Sequence, residues 1–226
     1  MKPTTTLAET PAPNGANFRL LEHDGEHFLY MDDRQIMSTK LVHSEEMLAE
    51  LGCAFHDKRK NPRVLIGGLG LGYSLRRALE VTGPKSFCEV AELLPVIVGW
   101  NRDLLSGRND DILSDARTTI FEGDVYDCIR QAADKGPKYD AILLDVDDGP
   151  SSLIQPKNAQ LYKGHGLDVL KRALTPGGRA AFWTVESEPI LLRNLQQAGF
   201  KCEEIPVARH VRAKRQAHRI YIAERP

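Results

Sequence analysis

The chain has 226 residues, of which 42% are hydrophobic and 27% are charged, and its net charge is −1. This composition is ordinary for a globular protein with one substantial core, and the balanced charge excludes a strong global attraction to nucleic acid or membranes. Because no apolar run approaches the roughly 20 residues that span a bilayer, and the N-terminus lacks the apolar centre of a signal peptide, we expect a cytoplasmic protein.

The first 58 residues predict a tail, a small β unit and a helix. Residues 1–17 are rich in Thr, Pro and Ala, so we expect a flexible tail. Asp24-Gly25 separates two short apolar runs, which indicates a hairpin, and "DDR" at 32–34 indicates a second turn. Ser44, which two glutamates follow, indicates a helix start. We therefore expect a small N-terminal β-hairpin unit and a helix over residues 18–58.

Strand-like and helix-like runs alternate over residues 59–226. Helical patterns follow the strand-like runs "RVLIGG", "SFCEVAEL", "ARTTIFEGD", "YDAILLDV" and "RAAFWTV". Two further strands, "FKCEEIPVA" and "HRIYIAER", are expected near the end of the chain. This alternation predicts an α/β fold with a doubly wound, mostly parallel sheet and helices on both of its faces.

The turn between the first strand and helix of this pattern, within "VLIGGLGLGYS", is unusually rich in glycine. Gly67, Gly68, Gly70 and Gly72 leave it almost without side chains. In doubly wound folds this turn is where a nucleotide-like ligand approaches the sheet edge, and glycine permits both tight turns and close approach. A glycine-rich turn that only packs is the alternative.

Two acidic residues stand at the ends of the next two predicted strands. Glu92 ends the second strand, where a carboxylate can accept hydrogen bonds from both ribose hydroxyls. Asp124 follows the third strand in "EGDV", where a carboxylate can accept from an exocyclic amine of adenine. A single acid at such a place is more often a helix cap. Together with the glycine turn, however, the two acids predict nucleoside binding.

Several segments resemble the successive motifs of the spermidine synthase-like branch of the class I S-adenosylmethionine (SAM)-dependent methyltransferase superfamily. They are "PRVLIGGLGLGYSLRRALE", "CEVAELLPVIVGWNR", "FEGDVYDCIRQ", "YDAILLDVDDGP" and "LYKGHGLDVLKRALTPGGRAAFW". The resemblance covers roughly residues 18–224 and implies a Rossmann-like class I SAM-methyltransferase fold. It implies that the glycine turn approaches the methionine part of the cofactor, that Glu92 binds the ribose, that Asp124 binds the adenine amine, and that Val125 lies against the ring. It also implies a homodimer.

Near the expected substrate, the sequence departs from the polyamine enzymes that it resembles. Gly70 stands where they carry an aspartate that holds the amine of decarboxylated SAM, which favours SAM itself. An acid of theirs is replaced by Lys40, which should disfavour a polycationic acceptor if it faces the site. Gln35 and Glu46 match them by kind and are expected to bind substrate.

The segment after the fourth strand of the α/β pattern resembles the catalytic Asp-x-x-Asp segment of these enzymes. Asp145 and Asp148 match its two aspartates, which implies that they deprotonate and hold an attacking amine. Asp147 lies between them and is also expected to bind substrate. Two aromatic candidates join this group: Tyr162, where the family often has an aromatic residue, and Trp183, which either covers the pocket or packs in the core. The alternative is an acidic loop that caps a helix or binds a cation.

These observations favour a SAM-dependent transferase that moves methyl from SAM to a small amine-bearing acceptor. Aminopropyl transfer from decarboxylated SAM, as in a polyamine aminopropyltransferase, is the alternative, and a non-catalytic nucleoside-binding or partner-binding module is the second alternative. No metal site is expected, because the Cys and His spacings do not suit one. The basic segment 209–219 has no interleaved aromatic residues, so nucleic acid is not expected as a partner.

Overall fold

The structure, a computed structural model, describes residues 3–12, 15–55, 59–210 and 216–226. The central part of the predicted basic segment, residues 211–215, lies outside the described residues, as do 56–58 at the expected domain boundary. Among the described residues, no helix combines the length and the apolar character needed to cross a membrane.

Four antiparallel strands in chain order form the N-terminal sheet: β1 (Thr5–Pro11), β2 (Asn17–His23), β3 (Glu26–Met31) and β4 (Arg34–Ser38). The predicted hairpin joins β2 to β3, and both of its central residues have positive φ, 55° at Asp24 and 77° at Gly25. Such angles give a turn whose twist matches the strands that it joins. The second predicted turn is confirmed between β3 and β4.

Strand β1 lies inside the segment that the composition predicts to be a flexible tail, so that expectation is wrong over Thr5–Pro11. The strand pairs with β2 through a ladder that runs from Thr5 opposite Glu22 to Pro11 opposite Asn17. It is an edge strand and mostly exposed. Because it buries little, its sequence lacks the apolar alternation by which strands are usually recognised.

Helix α1 (His43–Gly52) follows, close to its predicted position, and leads into the α/β part of the chain. The elements of that part are, in chain order, β5 (Arg63–Gly67), α2 (Tyr73–Thr82), β6 (Phe87–Glu92), α3 (Pro95–Asp103), α4 (Ser106–Leu113), β7 (Thr118–Glu122), α5 (Val125–Asp134), β8 (Tyr139–Leu144), a 3₁₀ helix (Pro156–Leu161), α6 (His165–Ala173), β9 (Leu174–Thr184), α7 (Pro189–Gln197), β10 (Lys201–Ala208) and β11 (Gln216–Glu224). Helix α4 and the 3₁₀ helix were not predicted from the sequence.

The large sheet has seven strands in the order β10-β11-β9-β8-β5-β6-β7. Strands β5 to β9 pair in parallel, whereas β11 is antiparallel to both of its neighbours. All six residues of β8 are buried, as its apolar centre predicts. The chain reverses its direction of winding between β5 and β8, and ligands of such sheets bind at the carboxyl ends of strands beside that point. The predicted doubly wound α/β fold is confirmed.

The N-terminal sheet packs on the α/β part instead of standing apart from it. Leu20 and Leu29 of the small sheet belong to the same buried apolar cluster as Val64 and Ile66 of β5. Burial of these side chains stabilises the contact by ~1.5–3 kcal/mol for each fully buried residue. The small sheet is thereby held over one edge of the large sheet, where both cavities described below lie.

Candidate active site

A large cavity of ≈ 860 Å³, its open mouth included, lies at the carboxyl ends of β5, β6, β7 and β8. Its lining is mostly apolar with a few polar groups, as is usual in sites that bind small molecules. The α/β part supplies its floor, and the N-terminal sheet covers it with apolar side chains. Its lining includes Ala12, Phe18, Leu29, Ile36, Met37, Gly68, Gly70, Glu92, Leu93, Leu94, Ile97, Gly123, Asp124, Val125, Val146, Ile154, Gln155 and Asn158.

The four glycines of the turn have different positions relative to the large cavity. Gly68 and Gly70 line it, with φ of 87° and 52°, values that residues with a side chain rarely adopt. Gly67 instead packs in the interior, where an added Cβ would lie 3.0 Å from Val125. Gly72 is the N-cap of α2 and faces Asn109, away from the cavity lining.

Glu92 is buried at the end of β6, and its carboxylate fixes the glycine turn. Its Oε2 accepts a hydrogen bond from the backbone N–H of Leu69 at 2.8 Å, and its Oε1 accepts one from that of Leu94 at 2.8 Å. Burial raises the pKa of Glu92, although these backbone bonds oppose the rise. Each oxygen keeps a further lone pair, so this rigid carboxylate can still accept from a ligand's hydroxyl groups.

Asp124 serves as the helix cap that the sequence left open as an alternative. Its Oδ1 accepts from the backbone N–H of Tyr126 at 2.9 Å, at the start of α5, and its Oδ2 pairs with Lys157 Nζ at 2.6 Å. Asp124 also lines the large cavity, next to Val125. Because the Lys157 side chain is 55% exposed, it can be displaced at modest cost, so the two roles are compatible.

A second, smaller cavity of ≈ 400 Å³ adjoins the first. Four of its residues are acids, and we call it the acidic cavity. Its lining consists of Ile36, Met37, Glu45, Asp145, Asp147, Asp148, Ile154 and Trp183. Ile36, Met37 and Ile154 line both cavities, so a ligand in one can reach a ligand in the other.

Asp145, directly after β8, has the least satisfied carboxyl group in the acidic cavity. Among the described residues, no hydrogen bond or ion pair to its side chain is found. Burial, together with the nearby charges of Glu45, Asp148 and Asp147, raises its pKa to about 8. A carboxylate of this basicity, left free of other bonds, is suited to accept a proton near neutral pH.

The carboxylate of Asp147 is already occupied by hydrogen bonds from other residues of the protein. Its oxygens accept hydrogen bonds from the backbone N–H of Ile154 at 2.6 Å, from Asn158 Nδ2 at 3.0 Å and from the Tyr162 hydroxyl at 2.9 Å. Burial raises the pKa of Asp147 to about 6 despite these bonds. Tyr162 is buried beneath Asp147 and lies outside the lining of both cavities. The two residues thus anchor the loop that carries Ile154 and Asn158.

Asp148 forms an ion pair with Arg34, the first residue of β4. This contact connects the N-terminal sheet to the loop after β8, across 114 positions of sequence. Trp183 also lines this cavity, and its ring packs against that of His218 with centroids 4.8 Å apart.

Two N-terminal residues expected to bind substrate, Gln35 and Glu46, lie outside the linings of both the large cavity and the acidic cavity. Gln35 is exposed, and Glu46 is half-buried. Glu45 lines the acidic cavity instead, because one position along α1 turns the side chain by about 100°. Lys40 is exposed, with its Nζ 5.9 Å from the Phe28 ring centroid, and lines neither cavity, so the condition under which it would disfavour a polycationic acceptor is not met.

Sequence reasoning missed several cavity residues. Met37, Ile154, Gln155 and Asn158 carry no chemical signal of their own and come from a strand and a loop whose placement depends on tertiary contacts. Arg34 stands beside the predicted Gln35, and only the fold brings it to Asp148. Within the described ranges, no group of three or more His, Cys, Asp or Glu side chains is arranged to hold a metal ion.

No family model matches the chain. Among characterised proteins, it is 28% identical to the polyamine aminopropyltransferase of Sulfolobus acidocaldarius over 153 residues, 65% of this chain and 46% of that protein. It is 28% identical to the polyamine aminopropyltransferase of Corynebacterium efficiens over 116 residues, 51% of this chain and 21% of that protein. The chain therefore spans less than half the length of these relatives.

Solved spermidine synthases have the same fold. The spermidine synthase of Thermotoga maritima superposes with a TM-score of 0.76 at 16% identity, over 98% of this chain and 72% of that one. A spermidine synthase in complex with the transition-state analogue AdoDATO gives the same values. A probable spermidine synthase from Corynebacterium glutamicum superposes with a TM-score of 0.69 at 17% identity. The predicted spermidine synthase-like fold is confirmed.

Proposed function

We propose that the chain transfers an aminopropyl group from decarboxylated SAM to a small amine. The observation that carries this proposal is the free, basic carboxyl of Asp145 in an acidic cavity that adjoins the large cavity lined by Glu92 and Asp124. The relatives named above are polyamine aminopropyltransferases, and they favour this reaction over the methyl transfer expected from Gly70. Methyl transfer as the leading interpretation is therefore not supported.

The residues of the large cavity fit a nucleoside. Glu92 offers fixed acceptors for the ribose, Asp124 offers one for the adenine amine, and Val125 offers an apolar surface for the ring. Gly68 leaves the backbone bare beside them; a Cβ there would lie 3.0 Å from the Asp145 carbonyl oxygen. When bound, decarboxylated SAM supplies an aminopropyl group already activated on a sulfonium, so the protein has mainly to position the acceptor.

Asp145 is the proposed proton acceptor. An acceptor amine enters as an ammonium, and its positive charge lowers the pKa of Asp145 from about 8, which favours the carboxylate. Transfer of the ammonium proton to Asp145 then exposes the nitrogen lone pair. Glu45 is a further acid of the cavity, and Trp183 and Ile36 give it apolar walls that help to exclude water.

Calorimetric titration with decarboxylated SAM and, in parallel, with SAM tests the proposal. We expect tighter binding of the decarboxylated form. Tighter binding of SAM would return methyl transfer to first place, and failure of both to bind would favour the non-catalytic module. A homodimer stays a prediction, which light scattering on the purified protein can test.

A further inference from the structure

Arg34 places a positive charge of the protein's own against Asp148, one of the four acids that line the acidic cavity. Its Nη1 pairs with Oδ2 of Asp148, the second aspartate of the Asp-x-x-Asp segment. Among the described residues, the other three acids of the cavity have no ion pair. Arg34 is fixed at the start of β4, the strand whose Ile36 and Met37 line both cavities. The guanidinium itself lines neither cavity, so it acts on the site through the carboxylate of Asp148.

Arg34 is the more exposed partner of the pair, and Asp148 is the partner that lines the acidic cavity. The Arg34 side chain is 48% exposed, while that of Asp148 is 19% exposed. A guanidinium stays charged at any physiological pH, so Asp148 is neutralised whenever the pair is formed. The second ammonium of a bound diamine could contact Asp148 only by displacing the guanidinium or by lying next to it. Displacement breaks the existing ion pair, and two like charges at one carboxylate repel each other, so either arrangement is unfavourable.

The acidic cavity can still bind one ammonium group through an acid other than Asp148. Asp145 is free to receive an ammonium, and Ile36, Ile154 and Trp183 can enclose a short methylene chain. The far end of that chain would then meet Arg34, whose fork of N–H donors suits a carboxylate or a neutral oxygen.

We propose that Arg34 is a specificity-determining residue that takes the place of the second ammonium of a diamine. It directs the site toward acceptors with one amine and a neutral or anionic far end. This inference rests on the proposed function, because it concerns the acceptor of that same site.

The test compares three acceptors of equal chain length: 1,4-diaminobutane, butylamine and 4-aminobutanoate. With decarboxylated SAM as donor, the wild-type protein should use 4-aminobutanoate or butylamine with a higher kcat/KM than the diamine. Arg34→Ala should raise the ratio of kcat/KM for the diamine to kcat/KM for 4-aminobutanoate about tenfold. Arg34→Lys keeps the charge and should leave this ratio nearly unchanged. Arg77→Ala is the matched control, since the carboxylate partners of Arg77, Glu50 and Glu80, line neither cavity, whereas the partner of Arg34 does.

Calorimetry with the same three acceptors, in the presence of 5′-methylthioadenosine, separates this inference from the proposed reaction. If no acceptor is turned over, the proposal of aminopropyl transfer is wrong. The ratios of the measured affinities for the three acceptors still decide the role of Arg34. A rise of about tenfold in the relative affinity of Arg34→Ala for the diamine supports it. An unchanged ratio, a wild-type preference for the diamine, or no binding of any acceptor overturns it.

Discussion

The sulfur of Met37 occupies the space into which a side chain on Gly70 would extend: a Cβ built on Gly70 would lie 2.3 Å from Met37 Sδ. The polyamine enzymes that the sequence resembles carry an aspartate at the position of Gly70. Here a thioether from the N-terminal sheet occupies that space. The loss of the carboxylate and the presence of Met37 are therefore one structural feature and have to be tested together.

Gly70→Asp alone should destabilise the protein by about 1–3 kcal/mol, because the backbone φ of 52° suits glycine and the flexible end of Met37 would have to move aside. Combined with Met37→Ala, the same change should be less harmful than the sum of the two single changes, by about 1 kcal/mol or more. Urea unfolding of the four proteins measures this coupling. Strictly additive effects would show that Met37 does not fill the place of the missing side chain.

Glu92→Gln should weaken the binding of 5′-methylthioadenosine about tenfold or more. One of the two backbone N–H groups that Glu92 binds would lose its acceptor, so the glycine turn would no longer be held for the ligand. Glu122→Gln is the matched control, since Glu122 ends the neighbouring strand in register with Glu92 but is exposed. Equal affinities of the two variants, measured by calorimetry, would contradict the role given to Glu92.

Asp145→Asn should stabilise the protein at high pH. The pKa of Asp145 is raised to about 8 in the folded state, above its ordinary value near about 4, so the unfolded chain loses this proton first as the pH rises. The wild type should therefore lose stability relative to Asp145→Asn between about pH 4 and pH 8, with a constant difference above that range. Melting temperatures from pH 4 to pH 9 measure the trend, and a pH-independent difference would count against the raised pKa.

Asp147→Ala should destabilise the protein by about 3 kcal/mol, since it leaves the donors of Ile154, Asn158 and Tyr162 without their acceptor in the interior. Tyr162→Phe should lower the free energy of unfolding by only about 1 kcal/mol, because Asp147 keeps its other hydrogen-bond donors. Chemical denaturation gives both values. If Asp147→Ala left stability unchanged while weakening acceptor binding, Asp147 would be a substrate ligand and not the anchor of this loop.

The α/β architecture could be predicted from the sequence because its signals are local. Each buried strand is a short apolar run, and each helix repeats its apolar residues at its own period, as in "YDAILLDV" and the helix that begins at Tyr73. Strand β1 escaped prediction because an exposed edge strand needs no apolar face. The N-terminal sheet as a cover of the cavity could not be predicted either, since its packing depends on contacts between distant parts of the chain.

The residues of the candidate site likewise fall into those that could be predicted from the sequence and those that could not. Glu92, Asp124 and Asp145 could be selected because they stand at or just after the ends of three successive strands, and such ends meet at one edge of a parallel sheet. Glu45 could not be distinguished from Glu46 by chemistry, only by the orientation of α1. The position of Arg34 beside Asp148 depends on tertiary packing alone.

The most direct test of aminopropyl transfer is to identify the nucleoside product. The purified protein is incubated with an amine mixture and either decarboxylated SAM or SAM, and the products are separated by mass. We predict 5′-methylthioadenosine from decarboxylated SAM, and its formation should fall about 100-fold or more in Asp145→Asn, whose amide cannot accept the ammonium proton. Formation of S-adenosylhomocysteine from SAM, with no reaction of the decarboxylated form, would contradict the account.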